Sequence, residues 1–114
     1  MQPEDRTRLH HMIDAAVTVV QFITGRRRED LDDDRMLLFA VVRAIEILGE
    51  AASKVSAATR AAAPDIPWST IVSMRNRLIH GYFDIDTTIV WKTATVEIPD
   101  LLQRLRAVLG EGPE

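Results

Sequence analysis

MLLFAVVRAIEILGEAASKV, residues 36–55, carries two apolar stripes at helical spacing. Leu38, Val41, Ile45, Leu48, Ala52 and Val55 follow steps of 3, 4, 3, 4 and 3. Leu37, Ala40, Ala44, Ile47 and Ala51 form a second stripe beside the first. Such a repeat is the period of an α-helix and not of a strand. A helix apolar over so wide an arc needs cover on more than one side. A bundle core covers one side, and a second subunit is expected to cover the other. Gly49, Ala51 and Ala52 leave room for a neighbouring helix to approach. The spacing predicts one long helix from about Asp33 to Ala62, with Asp32, Asp33 and Asp34 at its start, where acids suit the helix dipole.

The flanks read as helices too. Leu9, Met12, Ala16, Val19 and Ile23 recur at steps of three and four, predicting a helix from about Asp5 to Ile23, stopped by Gly25. Arg26 to Asp30 reads as an exposed, solvated loop. Pro64 and Pro67 mark the next turn, and a third helix runs from Pro67 or Trp68 to His80, with Gly81 as its stop. Tyr82 to Ile85 is a short connection. Asp84 or Asp86 caps a fourth helix that continues to about Leu109, and Pro99 kinks or divides it. No strand pattern, repeat or low-complexity stretch is visible. The expectation is one all-α domain over residues 1–114, an up-and-down bundle of four to five helices with a disordered tail over about 110–114.

Composition narrows the function classes. The chain has 114 residues, 46% of them apolar, no cysteine and a net charge of −3. Thiolate metal sites and disulfides are excluded. A protein that coats nucleic acid would be strongly basic, so any nucleic-acid contact is expected to be local. Charge is uneven: residues 29–34 hold five acids, whereas Trp68 to Phe83 contains Arg75, Arg77 and His80 and no acid. With no bilayer-spanning apolar run and no signal-peptide pattern, a cytoplasmic protein without membrane contact is the expectation.

The third helix holds the anomaly. Trp68, Ile71, Arg75, Leu78 and Tyr82 continue the 3, 4, 3, 4 spacing, which places Arg75 on the apolar face. A buried arginine needs a partner. One reading is a structural salt bridge to Glu46 or Glu50. Asn76 and His80, four residues apart, would share a helix face, with His80 in the last turn, where the dipole favours its charged form. The chemical reading is phosphodiester cleavage: His80 transfers protons, Arg75 binds phosphate and stabilises developing charge, and Asn76 holds the imidazole or a phosphate oxygen. Acid and base together need more than one histidine, which a dimer partner would supply. No metal or cofactor site is apparent. His10 and His11 are adjacent and diverge on a helix, and Glu46 and Glu50 lack the histidines of a di-iron bundle.

MRNRLIHGYFDID, residues 74–86, preceded by IPWSTI and followed by TTIVWKTATVEIPDLL, resembles the HepT-like toxins of the HEPN superfamily. The motif is Arg75, four residues, His80, one residue, Tyr82, with Asn76 after the arginine. The resemblance implies a homodimeric helical bundle whose two motifs face a shared cleft. It also implies metal-independent endoribonuclease activity without a cofactor. Arg75 and His80 would be catalytic, with Asn76 and Arg77 as supporting, RNA-binding residues. The implied partner is a nucleotidyltransferase antitoxin that transfers AMP to Tyr82. The competing expectation is a non-catalytic HEPN module that binds or supports a nucleotidyltransferase.

Overall fold

The computed structural model describes residues 1–80 and 84–110 and, of His80, the backbone alone. Helices dominate: α1 Pro3–Ile23, α2 Arg28–Asp33, α3 Arg35–Ser53, α4 Ala57–Ala62, α5 Trp68–Val72, α6 Met74–Leu78, α7 Thr87–Lys92 and α8 Ile98–Val108. A π-helical turn, Thr93–Glu97, joins α7 to α8. Strands β1 Ile79–His80 and β2 Asp84–Ile85 form a small antiparallel pair, with Ile79 opposite Ile85 and His80 opposite Asp84.

The α1 and α3 stripes meet as their spacing requires. Leu9, Met12, Ala16 and Val19 of α1 are buried against Val41, Ile45, Leu48 and Ala52 of α3. α8 lies on the other flank of α1 and adds Leu101 and Leu105. Each large aliphatic side chain taken fully from water contributes about 1.5–3 kcal/mol, so this three-helix contact holds the bundle. Gly25, at φ 78, follows the end of α1 in the left-handed conformation that glycine tolerates.

Four expectations are corrected. The predicted helix over 33–62 is two helices, α3 and α4, with Asp33 as the last residue of α2. Asp34 turns extended and caps α3 by accepting from the Leu37 N–H at 3.1 Å, and Ser56 restarts the chain as α4 by accepting from the Thr59 N–H at 3.3 Å. Capping side chains at Asp34 and Ser56 offer the backbone an alternative to continuous helix. Second, Arg26 to Asp30 is not all loop, because α2 begins at Arg28. Arg28 donates to Asp32 at 2.8 Å and to Thr88 at 2.6 Å, and Thr87 donates to Asp32 at 2.8 Å, tying α2 to α7.

Third, the predicted third helix breaks at Ser73 and ends at Leu78. Ser73 sits at φ −93, ψ 3, and its N–H doubles back to the Ile71 and Ser69 carbonyls. The apolar stripe runs through Met74 and not Arg75. Ile71, Met74 and Leu78 are buried, and Arg75 turns outward. Fourth, His80 lies in β1 and not in a last helical turn, so it does not share a helix face with Asn76. Strand pairing was not legible because each strand is two residues long.

Asp86 caps α7, its carboxylate accepting from the Ile89 N–H at 3.1 Å. Pro99 divides the fourth helix: it stands in the first turn of α8, directly after the π turn. Gly81 as a helix stop, the part of the Tyr82 to Ile85 connection at 82 and 83, and the tail over 111–114 lie outside the described residues.

Candidate active site

The motif residues Arg75, Asn76 and Arg77 occupy one turn of α6. Successive helical residues point about 100° apart, so Arg75 and Arg77 diverge by about 200°. They face opposite neighbours. Arg75 reaches α3, where its Nε donates to Glu46 Oε2 at 2.6 Å. Arg77 reaches the π turn, where its Nη2 donates to Glu97 Oε1 at 3.0 Å. The Arg75 side chain is 56% exposed and the Glu46 side chain 20%. Arg75 is therefore an outward cation held from one side, not a charge buried in the core. The salt-bridge reading of Arg75 is the one the structure shows, with Glu46 as partner. Glu50 is engaged instead by Arg43 at 3.1 Å.

The resemblance implies Arg77 as a supporting, RNA-binding residue beside Asn76; in the structure its side chain turns away from Arg75, toward the π turn. Its Nε is buried without a hydrogen-bond partner. The buried nitrogen and the Glu97 pair make Arg77 a brace between α6 and the π turn. Asn76, between the two arginines, is exposed.

Two backbone contacts fix where the chain goes after α6. The hairpin pairs His80 with Asp84, and the Asp86 N–H donates to the Leu78 carbonyl at 2.8 Å. The His80 backbone thus leaves the helix end in a fixed direction. Tyr82 is outside the described residues, between the paired strands in sequence. Among the described residues, no group of three or more His, Cys, Asp or Glu side chains is placed to hold a metal ion, and no helix is long and apolar enough to cross a membrane.

Comparison with known proteins decides the family. The family described as "Ribonuclease HepT-like" matches residues 12–108, which includes α3, α6 and the whole motif. The chain belongs to the HepT-like family. A Thermococcus cleftensis protein named "Probable ribonuclease HepT" is 35% identical over 101 residues, covering 89% of this chain and 92% of that protein. "Putative RNase TTE0752" of Caldanaerobacter subterraneus is 34% identical over 104 residues, covering 91% and 93%. "Putative RNase MJ1380" of Methanocaldococcus jannaschii is 32% identical over 100 residues, covering 88% and 92%. No solved structure matches it significantly.

In this HepT-like chain, carboxylates from α3 and the π turn hold the two arginines of α6. Glu46 is visible in sequence as a possible partner, standing one helical turn before Glu50. Glu97 had no such signal, because only the π turn brings it round to Arg77.

Proposed function

We propose that this HepT-like chain is a metal-independent endoribonuclease, the toxin of a toxin–antitoxin pair. One observation carries the reading: the Arg75 guanidinium projects from α6, half exposed, five residues before His80. In the reaction, His80 takes the proton of a ribose 2′-hydroxyl, whose oxygen attacks the adjacent phosphorus. The bond to the 5′-oxygen breaks, and that oxygen receives a proton from a second imidazole. Arg75 stabilises the extra negative charge on the phosphorane oxygens. Asn76 supports the imidazole or a phosphate oxygen, and Arg77 braces the motif helix.

The second imidazole comes from a second copy of the chain across a shared cleft. α3 supplies a surface for such pairing. Met36, Phe39 and Ile47 are 82%, 50% and 39% exposed along one face of it. Exposed apolar side chains along one helix face are candidates for such contact.

Tyr82 is the acceptor for AMP from a nucleotidyltransferase antitoxin. AMP on its phenolic oxygen adds bulk and negative charge within seven residues of Arg75, repelling RNA phosphate. A rise in intact mass by AMP units on co-expression, absent in Tyr82→Phe, tests this step.

The decisive experiment is RNA cleavage in EDTA. Wild type should cleave, and His80→Ala should not. Equal behaviour of the two sinks the reading. A second reading is favoured by one observation: both motif arginines already have carboxylate partners. In it, the chain is a non-catalytic HEPN module supporting a nucleotidyltransferase. Tight binding to that partner without any RNA cleavage would establish it.

A further inference from the structure

Among the described residues, the ion pair at the motif engages Arg75 through Nε alone. Glu46 Oε2 takes the Nε–H of Arg75. The two Nη nitrogens have no partner among the described residues. A guanidinium offers a carboxylate or phosphate two edges, one through Nε and one Nη, the other through both Nη groups. Glu46 takes the first edge, and no described residue takes the second.

The local fold enforces this arrangement. Glu46 and Gly49 are one turn apart on α3. A Cβ at Gly49 would lie 3.1 Å from the Ile71 carbonyl oxygen, a tight contact, so glycine lets the end of α5 seat closely on α3 without displacement. The chain then breaks at Ser73 and Arg75 follows two residues later, beside Glu46. A depression of about 170 Å³, lined by Glu46, Gly49, Ser53, Val72 and Arg75, adjoins the pair. Glu50 also borders it, but Arg43 holds that carboxylate.

We propose that Glu46 is a positioning residue for the reaction: it clamps Arg75 through Nε so that the paired Nη edge faces the RNA phosphate. The inference rests on the ribonuclease reading above. It assigns Glu46 a role that a merely structural ion pair would not have. A free arginine samples many rotamers, and orienting it beforehand lowers the barrier to the chemical step more than it tightens substrate binding. The carboxylate also matters less as a charge than as an acceptor. Glutamine keeps an oxygen for the Nε–H; alanine keeps none.

The test compares Glu46→Ala and Glu46→Gln with wild type in steady-state cleavage with EDTA, using concentrations of folded protein fixed by circular dichroism. Glu46→Ala should lower kcat by about tenfold or more with KM within about twofold, the pattern of a contribution felt in the transition state. Glu46→Gln should recover most of the loss. A second readout does not depend on activity. The Arg75 Nε–H resonance, identified by its disappearance in Arg75→Lys, should be sharp in wild type and Glu46→Gln and broadened by solvent exchange in Glu46→Ala. Wild-type kcat in Glu46→Ala, or an unaltered Nε–H resonance there, overturns the proposal while the ribonuclease reading stands. A wild-type protein that cleaves no RNA, with the resonance intact, overturns both.

Discussion

Arg77 Nη2 and Glu97 Oε1 lie 3.0 Å apart, joining the motif helix to the π turn. The side chains are 40% and 30% exposed, so the pair is screened and its coupling is modest, about 0.5–1 kcal/mol. Glu97→Ala adds a further cost, because the partly buried guanidinium loses its counter-charge. Thermal denaturation should show a fall of roughly 4 °C for Glu97→Ala. A double-mutant cycle with Arg77→Ala should return the modest coupling. Arg77→Ala should change melting more than RNA cleavage per folded molecule, and Arg75→Ala the reverse. Identical profiles for the two arginine variants would contradict the division of roles.

Asp5 anchors the start of α1 to the turn before α4. Its carboxylate accepts from the Ser56 hydroxyl at 2.6 Å, the Thr59 hydroxyl at 2.6 Å and the Ser56 N–H at 3.0 Å. The Ser56 hydroxyl, followed by Thr59 and the Ser56 N–H, holds the carboxyl below the ordinary aspartate range. A depressed folded-state pKa contributes stability above the unfolded pKa, and that contribution is lost as pH falls through the folded value. Wild type should therefore lose stability on acidification below the ordinary aspartate range. Asp5→Asn should flatten that part of the profile and lower stability at neutral pH. Denaturant titrations across the acid range check both. Asp32, held low by Thr87 and then Arg28, contributes with the same sign.

Gly49→Ala tests the close seat of α5 on α3. Alanine gains about 1 kcal/mol of helix propensity over glycine. Against that, the new Cβ meets a backbone carbonyl that cannot rotate away, and overpacking costs about 1–3 kcal/mol. The expected result is a small net loss of stability with a larger loss of cleavage, because Arg75 moves off Glu46. A stabilised and fully active variant would show that the contact relaxes easily.

The exposed apolar face of α3 is tested by charge. Phe39→Lys, alone or with Met36→Lys, should convert a two-chain mass to a one-chain mass in light scattering at micromolar concentration. Cleavage should fall with it. Unchanged mass in both variants places the dimer contact elsewhere, and a one-chain mass in wild type removes it.

Much of this architecture is legible in the sequence because burial imposes a period. The stripes on α1 and α3, the Gly25 stop and the Asp86 cap follow from residues that sit where expected. Arg75 shows the limit. Ile71, Arg75 and Leu78 fit a helical stripe at steps of 4 and 3, and Ile71, Met74 and Leu78 fit one at 3 and 4. Spacing alone does not choose between neighbours 100° apart. Polarity does, since it puts methionine inside and the cation out. The proposed catalytic pair, Arg75 and His80, rests on residue types and on the resemblance. Of the carboxylates that hold the arginines, Glu46 was legible as one of two candidates for Arg75, whereas Glu97, 20 residues from Arg77 and across the π turn, was not.

The π turn at Thr93–Glu97 carries a consequence for length variation. A π turn accommodates one residue more than the α-helix around it. Losing a single residue there would let α7 and α8 merge into one regular helix. α8 is fixed to α1 through Leu101 and Leu105, so the adjustment falls on the α7 side, as a rotation of about 100°. Glu97 would leave Arg77, and Asp86, which holds the Leu78 carbonyl, would pull the hairpin with it. A relative one residue shorter at this point would need a different brace for its motif helix.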